Sequence, residues 1–457
     1  MKMIKTICAI GVVAASLNAG NVMAKVSAEE AAKLGTTLTP VGAEKEGNAD
    51  GSIPAYTGGI TAPPAGYVSG EFHVNPFPDD KPLFTIDKAN MEEYKAKLSE
   101  GQMKLLSKYD TFFMKIFPTR RSAHITQELT DFAKLNAVNT ELIEDGNSIQ
   151  NFEGVLPFPI AKHPLEIVWN HVMRKRANGS FTRQNVQVTP TESGDFTPVQ
   201  FFEEFATRYK LEDFASNKDE NVSFYFKQKV TAPARLAGNV LLVHETIDQV
   251  KEARRAWIYN AGQRRVRRAP QVAYDGPGTA SDGLRTTDQF DAYNGSPNRY
   301  NWVLEGKQEL YIPYNSYDLD DQSLKYKDIV KAGHLNSDYL RYELHRVWKV
   351  TGTLKDGQRH IYSKRTFYVD EDTWAIVVAD HFDGRGELWR SYEAHSKYFY
   401  DPVVNSNFTI VEQINDLLSG RYIALGLANE LPYRFDFTKT YKTKDFTPAA
   451  LRRSSNR

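Results

Sequence analysis

Alternating apolar and polar residues run from Arg341 to Tyr400 and predict four consecutive β-strands joined by three tight turns. The Asp356-Gly357 pair lies between two alternating runs and is a strong hairpin signal. The other two turns read Asp370-Glu371-Asp372-Thr373 and Asp383-Gly384-Arg385-Gly386. The predicted strands are Glu343 to Leu354, His360 to Val369, Trp374 to Phe382 and Glu387 to Tyr400. This pattern is typical of an antiparallel meander.

The register of the meander decides which side chains share a face. If Asp356-Gly357 is a two-residue turn, Trp348 lies opposite Arg365, because each step along one strand matches one step back along the other. Since side chains alternate along a strand, this register places the following residues on one face: Arg346, Trp348, Val350, Ile361, Arg365, Phe367, Trp374, Ile376, Val378, Asp380, Phe382, Trp389, Glu393 and His395. The opposite face would carry Lys349 against Lys364, a pairing that is tolerated only in water. The tryptophan-bearing face is therefore predicted to point inward.

This predicted inner face mixes tryptophans with charged side chains, and a buried charge is costly unless it is paired. One interpretation is an ion-pair network under covering helices, in which Arg365 reaches diagonally to Asp380. The other interpretation is a cavity with apolar walls and a few charged anchors, which is typical of ligand sites.

The cavity interpretation gives a role to eight residues. Its apolar wall would consist of Trp348, Trp374, Trp389, Phe367 and Ile376. Arg346 and Arg365 would hold a polar headgroup, and Asp380 would orient them. A carrier built in this way needs a continuous cavity of at least ~300 Å³ lined by these residues.

The chain before the meander divides into an arm, a set of helices and further strands. Lys33 to Thr85 is rich in Gly, Pro, Thr and Asn and shows no sustained period, which predicts an extended arm over residues 25–86. Helical patterns follow from Asp87 through Leu98, from near Ser107 to Pro118, and from Ser122 to Val138. We expect these three helices to cover the sheet.

Short apolar runs between turn residues predict the remaining strands. They are Glu166 to Arg176, Ser180 to Thr189, Val222 to Val230, Asn239 to Gln249, Ala253 to Tyr259, Arg264 to Ala269 and Asn301 to Ile312. The segment Tyr274 to Tyr300 is predicted to be irregular, and a helix is predicted near Val411 to Leu418. The predicted fold class is mainly β (α+β), with one large antiparallel sheet in a single domain over residues 87–457.

Arginine residues cluster in the predicted hairpin between Arg254 and Arg268. Guanidinium groups bind carboxylate, phosphate or sulfate bidentately, which makes this hairpin a candidate site for an anionic group or a docking partner. The candidate residues are Arg264, Arg265, Arg267 and Arg268. The alternative is that the arginines pair with acidic residues just downstream, namely Asp275, Asp282, Asp288 and Asp291.

Composition places the chain among globular proteins, with 457 residues, 41% hydrophobic and 25% charged. Lys2 and Lys5, the apolar run Ile7 to Ala15, and Val22-Met23-Ala24 predict a signal peptide over residues 1–24 that is cleaved after Ala24. Cleavage would remove Cys8, the single cysteine of the chain, so no disulfide is expected. No other stretch approaches the ~18 apolar residues of a membrane-spanning helix. We therefore expect an exported protein without a transmembrane segment after signal removal.

Charge and motif searches point away from several classes of function. A formal net charge of zero gives no general attraction to nucleic acid. The sequence has no Gly-x-Ser-x-Gly elbow, P-loop, dinucleotide fingerprint or His-Glu-x-x-His pattern. The histidines of the meander alternate between faces, which disfavours a metal cluster. We therefore predict no catalysis, no cofactor, no metal and no nucleic-acid partner.

Several motifs, taken in order along the chain, carry a resemblance to a known family. They are Leu38 to Gly42, Gly47 to Pro54, Thr57 to Gly59, Phe117 to Ala123, Gly154 to Ile160, Arg264 to Pro270, Tyr311 to Asn315, His345 to Trp348, Lys364 to Tyr368 and Gly386 to Arg390. Together they resemble the bacterial domain-of-unknown-function 1329 (DUF1329) family, from about Leu38 to Phe446. Each motif is modest alone, but their order over nearly the whole chain makes the match specific.

That family is similar to the periplasmic carriers of outer-membrane lipoproteins (LolA/LolB-like), whose fold is an unclosed antiparallel half-barrel wrapped over helices. The resemblance implies a periplasmic carrier or chaperone for a hydrophobic or amphipathic, lipid-like molecule in envelope transport. It implies as partners an inner-membrane exporter of the resistance-nodulation-division type and an outer-membrane protein. The arm and the segment Tyr274 to Tyr300 depart from the shorter carriers, which argues against lipoprotein itself as cargo. The competing hypothesis is a non-catalytic adaptor with a solid core that docks on an envelope transport complex.

Overall fold

The computed structural model describes residues 25–217, 220–269, 274–432 and 434–455. The predicted signal peptide, residues 1–24, lies outside the described residues. Within the described ranges, no helix is both long and apolar enough to cross a membrane. The α-helices described are α1 (Ala28–Ala31), α2 (Met91–Tyr94), α3 (Glu100–Lys108), α4 (Gln127–Asn139), α5 (Pro164–Val172), α6 (Phe214–Asn217), α7 (Tyr326–Ile329) and α8 (Pro448–Ser455).

The strands are short and follow one another closely after the first helices. They are β1 (Phe84–Ile86), β2 (Met114–Phe117), β3 (Glu141–Ile143), β4 (Ser148–Gln150), β5 (Ser180–Val188), β6 (Val199–Thr207), β7 (Phe224–Ala232), β8 (Val240–Glu245), β9 (Arg255–Asn260), β10 (Arg265–Arg268), β11 (Tyr300–Pro313), β12 (Tyr342–Leu354), β13 (Lys364–Asp370), β14 (Ile376–Phe382), β15 (Leu388–Phe399), β16 (Ser406–Asp416), β17 (Tyr422–Leu427) and β18 (Phe435–Asp436).

Sixteen of these strands form one sheet, and β3 pairs separately with β4. The order across the sheet is β1-β2-β12-β13-β14-β15-β16-β17-β5-β6-β7-β8-β9-β10, with β11 paired to β12 and β18 paired to β5. The end strands β1 and β10 do not pair, so the sheet is unclosed. The prediction of a mainly β fold with a large unclosed sheet is confirmed. The sheet is mixed, because β2 and β12 run parallel.

The predicted meander corresponds to β12, β13, β14 and β15, which pair antiparallel in chain order. Its predicted register is wrong. Trp348 lies opposite Val369, and Arg365 lies opposite Gly352. The connection between β12 and β13 extends from residue 355 to residue 363, so Asp356-Gly357 is part of a longer loop and the partners shift by four positions.

The predicted set of residues sharing one face is also wrong, because two irregularities in the pairing reverse the alternation. Tyr368 pairs with Val378, but the next residue, Val369, pairs with Ile376. A second shift follows His381. As a result, Val378 and Asp380 lie on the face opposite to Arg365 and Phe367.

Both faces of the meander are covered by other elements. One face packs in a core cluster with α5, through Val350, Phe367 and Tyr392. On the other face α3 approaches so closely that a Cβ on Gly101 would lie 2.3 Å from Asp380 Oδ1. The predicted solvent face is therefore wrong, and Tyr368 on that face is 4% exposed.

Three further predictions failed for physical reasons that the structure shows. Glu166 to Arg176 was expected to be a strand, but α5 begins at Pro164 after the cap residue His163, and all nine of its residues are buried, so it shows no polar stripe. Val411 to Leu418 was expected to be helical, but it lies largely in β16, which is buried on both faces and lacks a period of two. The helix expected from Ser107 to Pro118 ends at Lys108, and β2 follows.

The N-terminal arm packs on the sheet. Ile53 is 1% exposed within the main core cluster, and β1 joins the sheet by pairing with β2. Val41 accepts a hydrogen bond from Trp374 Nε1 at 2.9 Å. The arm therefore closes one side of the interior of the protein.

Candidate ligand-binding site

The strands β5 to β8 present alternating side chains to the inside of the curved sheet. Phe181 of β5 lies opposite Phe205 of β6, and their rings stack with centroids 5.1 Å apart. Phe205 in turn lies opposite Phe226 of β7. Because residues two apart share a face, the inward-facing phenylalanines of β5, β6 and β7 form a continuous phenylalanine wall.

The first cavity lies between this wall, the turn before β14 and the segment 274–300. It has a volume of about 90 Å³. Its aromatic lining consists of Phe181, Phe205, Phe226, Phe290, Phe408 and Trp374. Its charged lining consists of Arg174, Lys175, Arg176, Arg183, Glu203, Asp291, Asp372 and Glu412. The cavity is therefore amphipathic.

A second cavity of about 80 Å³ adjoins the first. The two share Arg183, Glu203, Phe226, Phe290 and Glu412 in their walls. The second cavity extends along β5 to β8 and under the segment 274–300. It is closed on that side by Gly278, Thr279, Arg285, Thr287 and Asn294.

An open groove of about 820 Å³ adjoins the second cavity at Thr279, which lines both. Its walls include Phe196, Val230, Leu236 and Ile258. Ile258 is 43% exposed, so the groove opens to solvent. The groove therefore lies beside the second cavity, on the side of Thr279.

Most charged groups in the two cavities are paired with one another. Glu203 accepts hydrogen bonds from Arg183 and, at 2.7 Å, from Gln228 Nε2. Glu245 pairs with Arg254 at 2.7 Å. These partners offset the cost of burying the charges.

Asp291 joins the segment 274–300 to the end of α5. It pairs with Arg174 at 2.5 Å and with Arg176 at 2.7 Å. Burial opposes ionisation, but the two guanidinium groups outweigh it and hold the pKa of Asp291 well below its usual range. The segment is therefore fixed over the first cavity.

Glu412 of β16 lines both cavities and has a weaker set of partners. It accepts a hydrogen bond from Tyr392 Oη at 3.3 Å. Burial, and then the charge of Asp291, raise the pKa of Glu412 above its usual value. Burial therefore favours the neutral form of Glu412.

Among the eight residues predicted to form a ligand site, Trp374 lines the first cavity. It is 2% exposed and has φ of +59° at the turn before β14. Trp348 stacks on the far side of Trp374 with ring centroids 6.4 Å apart. Trp348 therefore packs against a residue of the cavity wall.

Arg365 is enclosed in the core, away from Asp380. It pairs with Asp288 of the segment 274–300, at 2.7 Å between Nη1 and Oδ2. Its guanidinium lies 5.0 Å from the ring of Tyr293 and 5.4 Å from that of Phe367. The predicted pairing with Asp380 is wrong, because the two side chains leave opposite faces of the sheet.

Asp380 caps the start of α3 on the other face. Its Oδ1 accepts hydrogen bonds from Ser99 Oγ at 3.2 Å and from Gly101 N at 3.0 Å. Burial, opposed by the hydrogen bond from Ser99, raises the pKa of Asp380 to about 7. Asp380 therefore does not orient Arg346 or Arg365.

The remaining predicted residues are held by partners within the protein. Arg346 pairs with Glu371 at 3.3 Å. Trp389 donates from Nε1 to Asp416 Oδ2 at 2.9 Å, and Ile376 is 2% exposed in the core cluster with α5. The sequence therefore predicted that the interior is aromatic. It placed the candidate ligand site on β12 to β15, whereas the phenylalanines that line the cavity lie mainly on β5 to β7.

The arginine hairpin corresponds to β9 and β10, and β10 is an edge strand of the sheet. The four candidate arginines, Arg264, Arg265, Arg267 and Arg268, are all exposed. Their expected pairing with downstream acids is wrong for three of these acids. Asp282 pairs with Arg421, Asp288 with Arg365, and Asp291 with Arg174 and Arg176. Within the described ranges, the four arginines form no ion pair.

One buried group of residues has the composition of a metal site. Ligand atoms of His345, Asp370 and Asp372 lie within 4.8 Å of one another. Both carboxylate oxygens of Asp372, however, accept hydrogen bonds from Arg121, at 2.9 and 2.6 Å. The guanidinium of Arg121 already neutralises the Asp372 carboxylate. These three residues are therefore better described as part of an internal ion-pair network than as a metal site.

Residues 85–452 match the family described as "Protein of unknown function (DUF1329)". The chain belongs to this family. The matched range begins after the predicted start near Leu38 and includes the sheet from β2 onward. A full-length relative from Pseudomonas aeruginosa, the uncharacterized protein PA3922, is 56% identical over 458 residues, which is 100% of both chains.

This DUF1329 chain also has a likeness to solved structures. A domain provisionally assigned to outer-membrane lipoprotein sorting, from Vibrio parahaemolyticus, is 12% identical, with a TM-score of 0.43 over 63% of this chain and 97% of that one. A DUF1329 protein from Desulfovibrio piger is 13% identical, with a TM-score of 0.39 over 60% and 91%. A LolA superfamily protein from Nitrosomonas europaea is 12% identical, with a TM-score of 0.38 over 63% and 98%. Likeness at this level does not identify a function.

Sequence reasoning missed the phenylalanine wall of this DUF1329 protein. Its residues come from β5, β6 and β7, which follow one another in the chain and pair in that order, and Phe408 of the distant strand β16 packs against Phe181. The signal that could have found them is the alternation in β6, where Phe201, Glu203 and Phe205 share a face. A strand predicted over Val199 to Thr207 would have placed this face beside β5.

Proposed function

We propose that this protein is a periplasmic carrier that binds the hydrocarbon chain of a lipid-like ligand in the two adjoining cavities. The observation that carries this proposal is the phenylalanine wall of β5 to β7, which bounds both cavities without filling them. Apolar cavities in proteins bind apolar molecules, because burial of apolar surface is favourable.

The shape of the interior favours one kind of ligand. The cavities, of about 90 and 80 Å³, are smaller than the ~300 Å³ expected from the sequence. Such volumes suit a single slender chain and exclude a bulky polycyclic molecule. The groove of about 820 Å³ has room for the rest of the ligand.

The predicted signal peptide and the resemblance to periplasmic lipoprotein carriers support the proposed cellular role. As a periplasmic carrier, the protein would exchange its ligand with an inner-membrane exporter of the resistance-nodulation-division type and an outer-membrane protein. No residue is proposed to act in catalysis.

The test is mass spectrometry of organic extracts from protein purified from the periplasm without detergent. We expect a molecule with a long hydrocarbon chain, near one copy per protein. Extracts that match those of an unrelated periplasmic protein purified in the same way would overturn the proposal.

A second candidate function is docking on an envelope complex, and the exposed arginines of β10 favour it. An edge strand offers unpaired backbone groups, and its charges can select an acidic partner. The carrier and the adaptor functions differ in whether the cavities bind anything.

A further inference from the structure

One cationic side chain in the second cavity stands apart from the others. Arg285, in the segment between β10 and β11, lines this cavity and is 8% exposed. In the part of the chain that the structure describes, no carboxylate forms an ion pair with Arg285, and its Nε has no hydrogen-bond partner. Arg183 and Arg254, which line the same cavity, both have carboxylate partners.

A buried guanidinium without a counter-ion is energetically unfavourable. Burial lowers the pKa of Arg285 from its usual value. The guanidinium nevertheless stays charged, because the pKa of arginine starts above ~12. The cavity therefore holds a permanent positive charge beside an apolar wall.

The two acidic residues whose charges act on Arg285, Glu412 and Glu203, form no ion pair with it. Glu203 is already held by Arg183 and Gln228. Burial favours the neutral form of Glu412. The positive charge thus remains available to a molecule that enters the cavity.

The position of Arg285 is fixed by its surroundings. Its guanidinium lies against Gly278, where a Cβ would be 3.0 Å from Cζ. Gln187 Nε2 donates hydrogen bonds to the carbonyl oxygens of Thr279 and Ala280, which hold this segment to β5. A side chain held in this way is preorganised to bind a ligand.

We propose that Arg285 binds the carboxylate of a long-chain carboxylic acid, whose hydrocarbon chain extends along the phenylalanine wall into the first cavity. This inference rests on the proposed carrier function and names its class of ligand. A single planar guanidinium matches the two oxygens of one carboxylate. A phosphate headgroup carries more charge and commonly requires several cationic groups.

The test compares cis-parinaric acid with its methyl ester, which has the same chain without the charge. Binding to the full protein is measured by the fluorescence of the polyene chain. We expect the wild-type protein to bind the acid at least about tenfold more tightly than the ester. This comparison needs no variant, so it does not depend on whether a substitution folds.

Variants then assign the preference to Arg285. We expect Arg285→Gln to bind acid and ester equally, and Arg285→Lys to keep part of the preference. Gly278→Ala should reduce the preference, because it displaces the guanidinium while keeping its charge. Arg385→Gln, in an exposed turn, is the matched control and should keep the wild-type ratio. Thermal unfolding checks that each variant is folded.

The outcomes separate this inference from the carrier proposal. Equal binding of acid and ester by the wild-type protein would overturn the role of Arg285 and leave the carrier function standing. A tenfold preference that survives in Arg285→Gln would also overturn it. Failure of both probes to bind would overturn the carrier function for slender chains, and this inference with it.

Discussion

Arg365 and Asp288 form an ion pair in the interior, with 2.7 Å between Nη1 and Oδ2. Their side chains are 0% and 2% exposed. The pair joins β13 to the segment 274–300, which also supplies Phe290 and Arg285 to the cavity walls. The meander predicted from the sequence therefore supports the site indirectly, by anchoring the segment that covers it.

Replacement of Asp288 by Asn should destabilise the protein strongly. It leaves the charge of Arg365 buried and unpaired, which typically costs about 3–5 kcal/mol. Urea unfolding at pH 7, followed by fluorescence, measures the loss. Asp338→Asn is the matched control, because the Asp338 side chain is 62% exposed in its pair with Lys115, and it should change stability by less than about 0.5 kcal/mol.

The same ion pair predicts that the stability of the folded protein depends on pH. Burial opposes ionisation, but the charge of Arg365 outweighs it and holds the pKa of Asp288 below its unfolded value. A lowered folded pKa gives stability that is present above about pH 4 and is lost as the pH falls. Equal stability of the wild type and Asp288→Asn at pH 7 would contradict this account.

Asp380 predicts the opposite dependence. Burial raises its pKa to about 7, so the folded state binds this proton more tightly than the unfolded state. The contribution of Asp380 to the free energy of unfolding is complete below about pH 4. It is lost as the pH rises towards 7, by up to about 1.4 kcal/mol per pH unit.

Asp380→Asn should remove this slope. The amide is neutral at every pH, and its oxygen can still accept the hydrogen bonds from Ser99 and Gly101. Urea unfolding between pH 5 and pH 7.5 gives the slope for both proteins. If the difference in stability between wild type and variant is constant over this range, Asp380 does not titrate in the way described.

The sequence predicted those elements whose turns and alternation are local. The Asp383-Gly384 turn, the meander strands and the hairpin of β9 and β10 all follow from short-range patterns. The register did not, because the connection from β12 to β13 is longer than the Asp356-Gly357 turn, and a bulge such as the one at Val369 depends on packing from both sides. α5 and β16 are buried on all sides. Their sequences therefore show no alternation of apolar and polar residues from which a helix or a strand could be predicted.

The candidate site was less predictable than the fold. Trp374 was predicted as part of an apolar wall, and it lines the first cavity. The phenylalanines of β5 to β7 were missed because no strand was predicted over β6, which pairs with both β5 and β7. The role of Arg365 was misassigned, because its partner Asp288 lies in a short 3-10 helix within a long connection whose described residues include no α-helix or strand. Arg285 could not be singled out, since a missing partner is visible only in three dimensions.

Filling the second cavity should reduce ligand binding. Val243 of β8 lines this cavity, and Val243→Phe would place a ring in the path of the chain. We expect the amount of ligand that copurifies with the protein to fall several-fold, as measured by mass spectrometry. Val303→Phe makes the same change at a residue of β11 that is 56% exposed, and should leave the ligand at wild-type level. Equal loss in both variants would point to misfolding and contradict the assignment.

Two tryptophans should differ in their effect on binding. Trp374→Phe removes part of the first cavity wall and the hydrogen bond to Val41, and we expect the affinity for cis-parinaric acid to fall several-fold. Trp389→Phe should leave the affinity unchanged, because Trp389 packs at the other end of the meander against Asp416. The measurement is a fluorescence titration, and equal effects would show that Trp374 has no special role.

The exposed arginines of β10 should attract anionic surfaces. Each arginine near such a surface contributes about 1 kcal/mol, and salt screens the attraction. Simultaneous replacement of Arg264, Arg265, Arg267 and Arg268 by Gln should therefore abolish cosedimentation with vesicles that contain phosphatidylglycerol. Wild-type cosedimentation should fall steeply as salt is raised.

The matched control for the arginine variant changes the net charge equally at a different place. It replaces four exposed lysines, Lys81, Lys88, Lys95 and Lys104, by Gln. This control should cosediment nearly as well as the wild type, because its lysines lie outside β9 and β10 and do not belong to the edge strand. If both variants lose binding equally, net charge governs the attraction and β10 is not a docking edge. If only the arginine variant loses binding while its cavities still take up cis-parinaric acid, docking and carriage reside in separate parts of the sheet.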